Sequence, residues 1–274
     1  MGRRFLRSAF VVVAVLAATV GAGLARAQQP AAASAPAAQT ATQPAPAQTS
    51  PSGHPNNSYW NEHDRLLLVD FGNFARYREA NMALTAPKPG ENRVVFMGDS
   101  ITDGWKLAES FPGKPYINRG IGGQTTPQML VRFREDVIAL KPKVVVILAG
   151  INDVAGNTGP MTLEQTEENL ASMAELARAN GVRVVLCSVL PAFDFPWAPG
   201  LAPATKVVAL NTWIAKYAAE KGDVYVDYHS AMKDERGGLP PALSADGVHP
   251  LPAGYAIMAP LVEAGIEKAL KSRE

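Results

Sequence analysis

Apolar residues in this chain come in short continuous runs at wide spacing: residues 93–97, a weaker 116–118, then 144–148, 182–188 and 224–226. The runs are rich in Val and Ile and show little alternation, as strands covered on both faces do. Between them apolar positions recur at helical spacing. Gln128, Met129, Leu130, Phe133, Val137 and Leu140 mark one helix, closed by Pro142. Leu170, Met173, Leu176 and Ala177 mark a second, ending at Asn180-Gly181. It opens with Thr162-Leu163-Glu164-Gln165, a capping box in which Thr and Gln each satisfy an unpaired backbone N–H. Val207, Leu210, Ile214, Tyr217 and Ala218 mark a third helix, and 252–270 supplies the last. Residues 61 to about 82 read as an extra N-terminal helix. Alternating strands and helices predict an α/β fold, a parallel sheet with helices on both faces. Ligands bind such sheets outside the carboxyl ends of the strands.

The first 53 residues do not fit this pattern. Arg3, Arg4 and Arg7 precede an apolar stretch over 9–24, and Ala25-Arg26-Ala27 is a small-x-small cleavage site. Residues 1–27 thus read as a secretory signal peptide, with export to the periplasm or medium. The apolar run carries Gly21 and Gly23 and is short for a membrane span. Residues 28–53 are Ala, Pro, Gln, Thr and Ser with almost no large apolar side chain, the composition of a flexible tether. That leaves 54–274 as one domain, long enough for a single core. Lys plus Arg number 26 and Asp plus Glu 25, with no basic stripe, so nucleic acid is not an expected partner. The single cysteine, Cys187, lies in an apolar run and reads as a core thiol. No H-E-x-x-H or clustered Cys/His set appears in the sequence, so no metal is expected.

The chemistry gathers after the predicted strands. Gly98-Asp99-Ser100 follows the first, Asn118-Arg119-Gly120-Ile121-Gly122-Gly123-Gln124-Thr125 the second, and Gly150-Ile151-Asn152-Asp153 the third. Asp246-Gly247-Val248-His249 precedes the last helix. A serine hydroxyl attacks carbonyl carbon only when a base takes its proton, and His249 is the candidate. Asp246, three residues earlier, can hold the imidazole in the useful tautomer, and Pro250 and Pro252 stiffen that loop. The backbone N–H groups of Ser100 and Gly123 and the side-chain amide of Asn152 can receive the developing oxyanion. Asp99 and Asp153 read as loop hydrogen-bonders. His54 reads as a tether residue, His63 as a surface residue and His229 as a structural residue, with His229 also standing as a spare candidate for the base.

These four segments resemble the signature blocks of the SGNH hydrolases, also called GDSL esterases/lipases, with Ile101 where that family has Leu. The resemblance runs from Val94 to His249. It places the four name-giving residues on Ser100, Gly123, Asn152 and His249, with Asp246 completing the triad. Gly123 is preferred to Gly122 because the family's Gly precedes a polar residue and Thr. The family implies a three-layer α/β/α, flavodoxin-like fold with a five-stranded parallel sheet, and ester hydrolysis without a cofactor. The expected substrate is a small-molecule or glycan ester carrying a short acyl group, acetyl above all, on a carbohydrate-like alcohol. The alternatives are a broad carboxylesterase, thioesterase or lysophospholipase, and a non-catalytic carbohydrate-binding protein on the same fold. Two features could meet substrate. Arg119 can point into the cleft or pair with a neighbouring helix. The aromatic loop 193–200 can form a rim or anchor itself.

Overall fold

The computed structural model describes residues 54–271. The expected signal peptide and tether, and the last three residues of the domain, lie outside the described residues. The chain runs α1 (Ser58–Val69), a 3-10 turn (Phe74–Arg76), α2 (Arg78–Ala83), β1 (Val94–Gly98), α3 (Ser100–Asp103) and α4 (Leu107–Ser110). It continues through β2 (Tyr116–Gly120), α5 (Thr126–Asp136), a 3-10 turn (Ile138–Leu140), β3 (Val144–Leu148) and α6 (Ile151–Ala155). Then come α7 (Leu163–Ala179), β4 (Arg183–Cys187), α8 (Ala204–Lys221), β5 (Val224–Val226), α9 (His229–Met232) and α10 (Pro252–Lys271).

All neighbouring strands pair in parallel, in the order β2-β1-β3-β4-β5. β1 and β3 are buried at every position, which is why their sequences do not alternate. Helices α5, α7 and α8 form one layer, and α10 covers β3, β4 and β5 as the other. The fold is therefore the expected α/β/α sandwich. Cys187 lies in its core, and burial pushes the thiol up to about 12, far from reactive. The chain leaves β1 for β2 on one side and returns to β3 on the other. This order places the topological switch point between β1 and β3, where a crevice opens at the strand ends.

One predicted element breaks. The N-terminal helix stops at Val69 and resumes only as a 3-10 turn and the short α2. Asp70 ends it by accepting the N–H groups of Phe74 and Ala75 at 2.9 and 3.1 Å, and Asn73 takes the left-handed conformation at φ 51°. Both are turn-forming residue types, and local side-chain bonding outcompetes helix here. The helix predicted to reach Leu140 likewise ends at Asp136 and tightens into the 3-10 turn. The capping box at Thr162 and Gln165 forms, and a second, at Thr125 and Gln128, opens α5.

Candidate active site

Ser100 begins α3 immediately after β1, with Asp99 as its N-cap. Room for so tight a turn comes from Gly120 on the neighbouring strand, where a Cβ would lie 2.1 Å from the backbone nitrogen of Asp103. Ser100 Oγ sits 2.9 Å from His249 Nε2. The other ring nitrogen, Nδ1, lies 2.6 Å from Asp246 Oδ2. Asp246 Oδ1 accepts the N–H groups of Val248 and His249 at 2.9 and 2.8 Å and the Ser244 hydroxyl at 3.1 Å. Partial burial pushes the Asp246 carboxyl up, but the bonds from the His249 ring and the two backbone N–H groups prevail and hold it at about 2. A bridge between Ser244 and Pro250 closes this loop at its base. His229, the spare base, is not part of this array. Its ring Nε2 is buried without a hydrogen-bond partner, and its backbone N–H donates to Ser188 Oγ.

The oxyanion candidates converge on the same place. Gly123 has φ 75°, a conformation that glycine adopts without penalty. A Cβ there would lie 2.8 Å from the Tyr59 hydroxyl. Asn152 follows β3, donates one amide N–H to the Gln124 carbonyl at 3.0 Å and accepts from Asn157 Nδ2 at 3.0 Å. These two bonds fix which end of the amide is nitrogen. Ser100, Gly122, Gly123, Asn152 and His249 line one open pocket of about 320 Å³, with Tyr59, Trp60, Asn157 and Trp197 as its remaining walls. Clefts of about 450 and 500 Å³ lie elsewhere, at the far ends of β4 and β5 and between α4 and α10, and none of these residues lines them.

Asn157 was not visible as a site residue in the sequence. It donates to both Asn152 Oδ1 and the Gly123 carbonyl, at 3.0 and 3.1 Å, and its own Oδ1 accepts from Trp197 Nε1 at 3.2 Å. One buried amide thus holds both downstream oxyanion donors and the aromatic wall. Asn157→Ala is expected to lower kcat about tenfold with a smaller change in KM, because misaimed donors lose most in the transition state. Steady-state kinetics on p-nitrophenyl acetate checks it, and an unchanged kcat contradicts it.

Asp99 and Asp153 bond the loops as expected. Asp153 is the anchor of α5: it accepts the Thr126 N–H at 3.0 Å, and the Thr126 hydroxyl as well. Burial, against those bonds, pushes Asp153 up to about 6. Asp99 Oδ1 accepts the Ile101 N–H at 2.9 Å, while its Oδ2 is buried without a hydrogen-bond partner. Burial pushes this carboxyl up to about 7 despite the Ile101 bond. A raised acid keeps its proton when folded after the unfolded chain has released it. Stability therefore falls as pH rises from about 4 to about 7, then levels off. Asp99→Asn keeps the capping oxygen and removes the proton. It is expected to raise Tm more at about pH 8 than at about pH 4.5, and equal changes at both contradict the account.

Two expectations, for His54 and His63, are corrected, and of the two fates open to Arg119 the structure shows the helix contact. Arg119 does not enter the pocket. It is buried, donates to Asn81 Oδ1 at 2.8 Å and to its neighbour's carbonyl at 2.7 Å, and its guanidinium lies 4.6 Å from the Tyr77 ring centre. It ties α2 to β2, the second of the two fates open to it. His54 is not a tether residue: it is buried and stacks on Trp60 at 3.7 Å. Nor is His63 a surface residue, since its ring packs beside Gly123. Its Nδ1 and that of His54 approach Asp64 Oδ1 at 3.5 and 3.7 Å. Among the described residues, these three form a His/carboxylate group near enough to share an ion, which linear motif spacing did not show. In the loop 193–200, both expected fates occur. Phe195 is buried against Trp197, while Trp197 itself faces the pocket, 6.1 Å from the His249 ring.

Together the switch-point crevice and the serine–histidine–aspartate array define a class of α/β proteins in which a hydroxyl, a base and aimed N–H donors share one pocket. The chain belongs to the GDSL-like lipase/acylhydrolase family, which it matches over residues 96–257. It is 48% identical to a GDSL-like lipase of Bacteroides thetaiotaomicron whose structure superposes with TM-score 0.71, covering 73% of this chain and 100% of that one. It is also 27% identical to an acetylxylan esterase of Xylanibacter ruminicola over 76% of this chain, spanning 48% of that protein's length. Esterase TesA of Pseudomonas aeruginosa is 29% identical over 62% of this chain and 85% of its own.

Proposed function

We propose that this protein is an exported serine ester hydrolase that removes a short acyl group, acetyl foremost, from a carbohydrate-like alcohol. The observation that carries the reading is the 2.9 Å approach of Ser100 Oγ to His249 Nε2, with Asp246 on the other ring nitrogen. His249 takes the Ser100 proton as Oγ attacks the acyl carbon. The backbone N–H groups of Ser100 and Gly123 and the free N–H of Asn152 Nδ2 receive the negative oxygen. Protonated His249, stabilised by Asp246, gives its proton to the departing alcohol. Water, activated by the same imidazole, then releases the acid and restores Ser100.

The short acyl group is supported by the size of the pocket, about 320 Å³ walled by Trp60 and Trp197, and by the similarity to an acetylxylan esterase. Export rests on the first 27 residues of the sequence. A p-nitrophenyl ester series tests the acyl reading. We expect kcat/KM to peak at acetate and fall steadily beyond butyrate. A maximum at octanoate or longer would instead indicate a broad carboxylesterase or lysophospholipase. No turnover of any ester would indicate a carbohydrate-binding protein.

A further inference from the structure

Beside the reaction pocket lies a second compartment of about 300 Å³, and Tyr59 and Gly122 line both. The two meet at Gly122. A Cβ on this residue would sit 3.9 Å from Ser100 Cβ, 3.9 Å from Asp103 Oδ2 and 3.6 Å from the Tyr59 hydroxyl. The nucleophile's own side chain is therefore on one side of the junction and a carboxylate is on the other. The far compartment is walled largely by the broken N-terminal segment, with Glu62, Asn73 and Arg76 facing Asp103 across it. This segment precedes the family match, which begins at residue 96.

We infer that this compartment is a subsite for the hydroxyl-rich, uncharged alcohol part of the ester, built by the N-terminal segment and entered past Gly122. The inference rests on the proposed hydrolase reading and names where its alcohol is held. Three features select this ligand class. First, the polar groups balance in charge. Arg76 pairs with Asp103 at 3.3 Å, and Glu62 is held by Arg65 at 2.7 Å, so a strongly anionic group finds no surplus cation. Second, a guanidinium, two carboxylates, an amide and the His63 imidazole, which burial pushes toward its neutral form, offer donors and acceptors together, and hydroxyls use both. An apolar chain would strip water from these groups and return no hydrogen bond. Third, Tyr59, Leu66 and Ile121 supply apolar surface for the C–H faces of a ring. An acetyl group ends inside the reaction pocket, so the alcohol is the part that must extend beyond it.

Gly122→Ala tests the passage. Its nearest neighbour would be 3.6 Å away, an ordinary contact, so the fold accepts the methyl while the junction narrows. Arg76→Ala tests the polar wall. The measurement is the ratio of kcat/KM on an acetylated xylo-oligosaccharide to kcat/KM on p-nitrophenyl acetate. We expect that ratio to fall about tenfold in each variant, mainly through KM on the oligosaccharide. A second measurement is calorimetric titration of deacetylated xylo-oligosaccharide into the Ser100→Ala protein, with binding expected and Arg76→Ala expected to weaken it about tenfold. Wild-type hydrolysis of the oligosaccharide with both ratios within twofold of wild type would overturn the subsite. A wild-type protein that cleaves no ester at all would overturn the hydrolase reading itself.

Discussion

Ser100→Ala is expected to reduce turnover of p-nitrophenyl acetate about 10⁴- to 10⁶-fold while leaving Tm within about a degree of wild type. The hydroxyl meets His249 at the edge of an open pocket, so its loss leaves no large cavity and no buried charge. His249→Ala should cost a similar factor, since a serine without a base remains protonated. The Ser100→Ala, His249→Ala double variant should be no worse than either single one, because the two residues act as a unit. Losses that multiply in the double variant would mean that the two side chains contribute separately, contrary to the geometry.

The second large effect is on stability, and it comes from a residue that touches no substrate. Arg132 on α5 is fully buried, pairs with Asp136 at 2.9 Å, and donates to Gln124 Oε1 at 2.6 Å and to the Gly98 carbonyl at 3.2 Å. It fastens the end of β1, just before Ser100, to the loop whose Gln124 carbonyl orients Asn152. Removing one partner of a buried pair strands the other, at a cost of about 3–5 kcal/mol. Arg132→Leu is expected to lower the unfolding free energy by that amount in denaturant titration. Adding Asp136→Leu should recover part of the loss by removing the stranded carboxylate, although Asn81 then loses its 2.6 Å bond to Asp136. A single-variant loss below about 1 kcal/mol would show that water reaches the pair and screens it.

Why Ser100, Asp246 and His249 were legible in the sequence, and Asn157 and Arg132 were not, has a physical basis. Parallel sheets bring strand ends to one edge, so polar residues directly after apolar runs can be placed together without knowing any packing. Ser100, Gly123 and Asn152 follow strands in this way, and Asp246 and His249 share one short loop. Asn157 and Arg132 act through contacts made only after helices pack on the sheet. In the sequence, Asn157 is one more loop amide and Arg132 one more polar position on an amphipathic helix. The same limit left Arg119 open, because its position near the end of β2 is equally compatible with facing the crevice or α2. The N-terminal segment failed for a local reason. Its helical spacing runs through Asp70-Phe71-Gly72-Asn73, and the turn chemistry there outweighed the periodicity. That break carries consequences for the site, since it sets Asn73 and Arg76 beside the reaction pocket.

Covalent labelling with a fluorophosphonate, read by intact mass and peptide mapping, tests most directly whether Ser100 is an activated nucleophile. The account predicts one adduct per wild-type chain, on Ser100, with labelling lost in Ser100→Ala and strongly slowed in His249→Ala. Adduct formation on another residue, or undiminished labelling of Ser100→Ala, would contradict it.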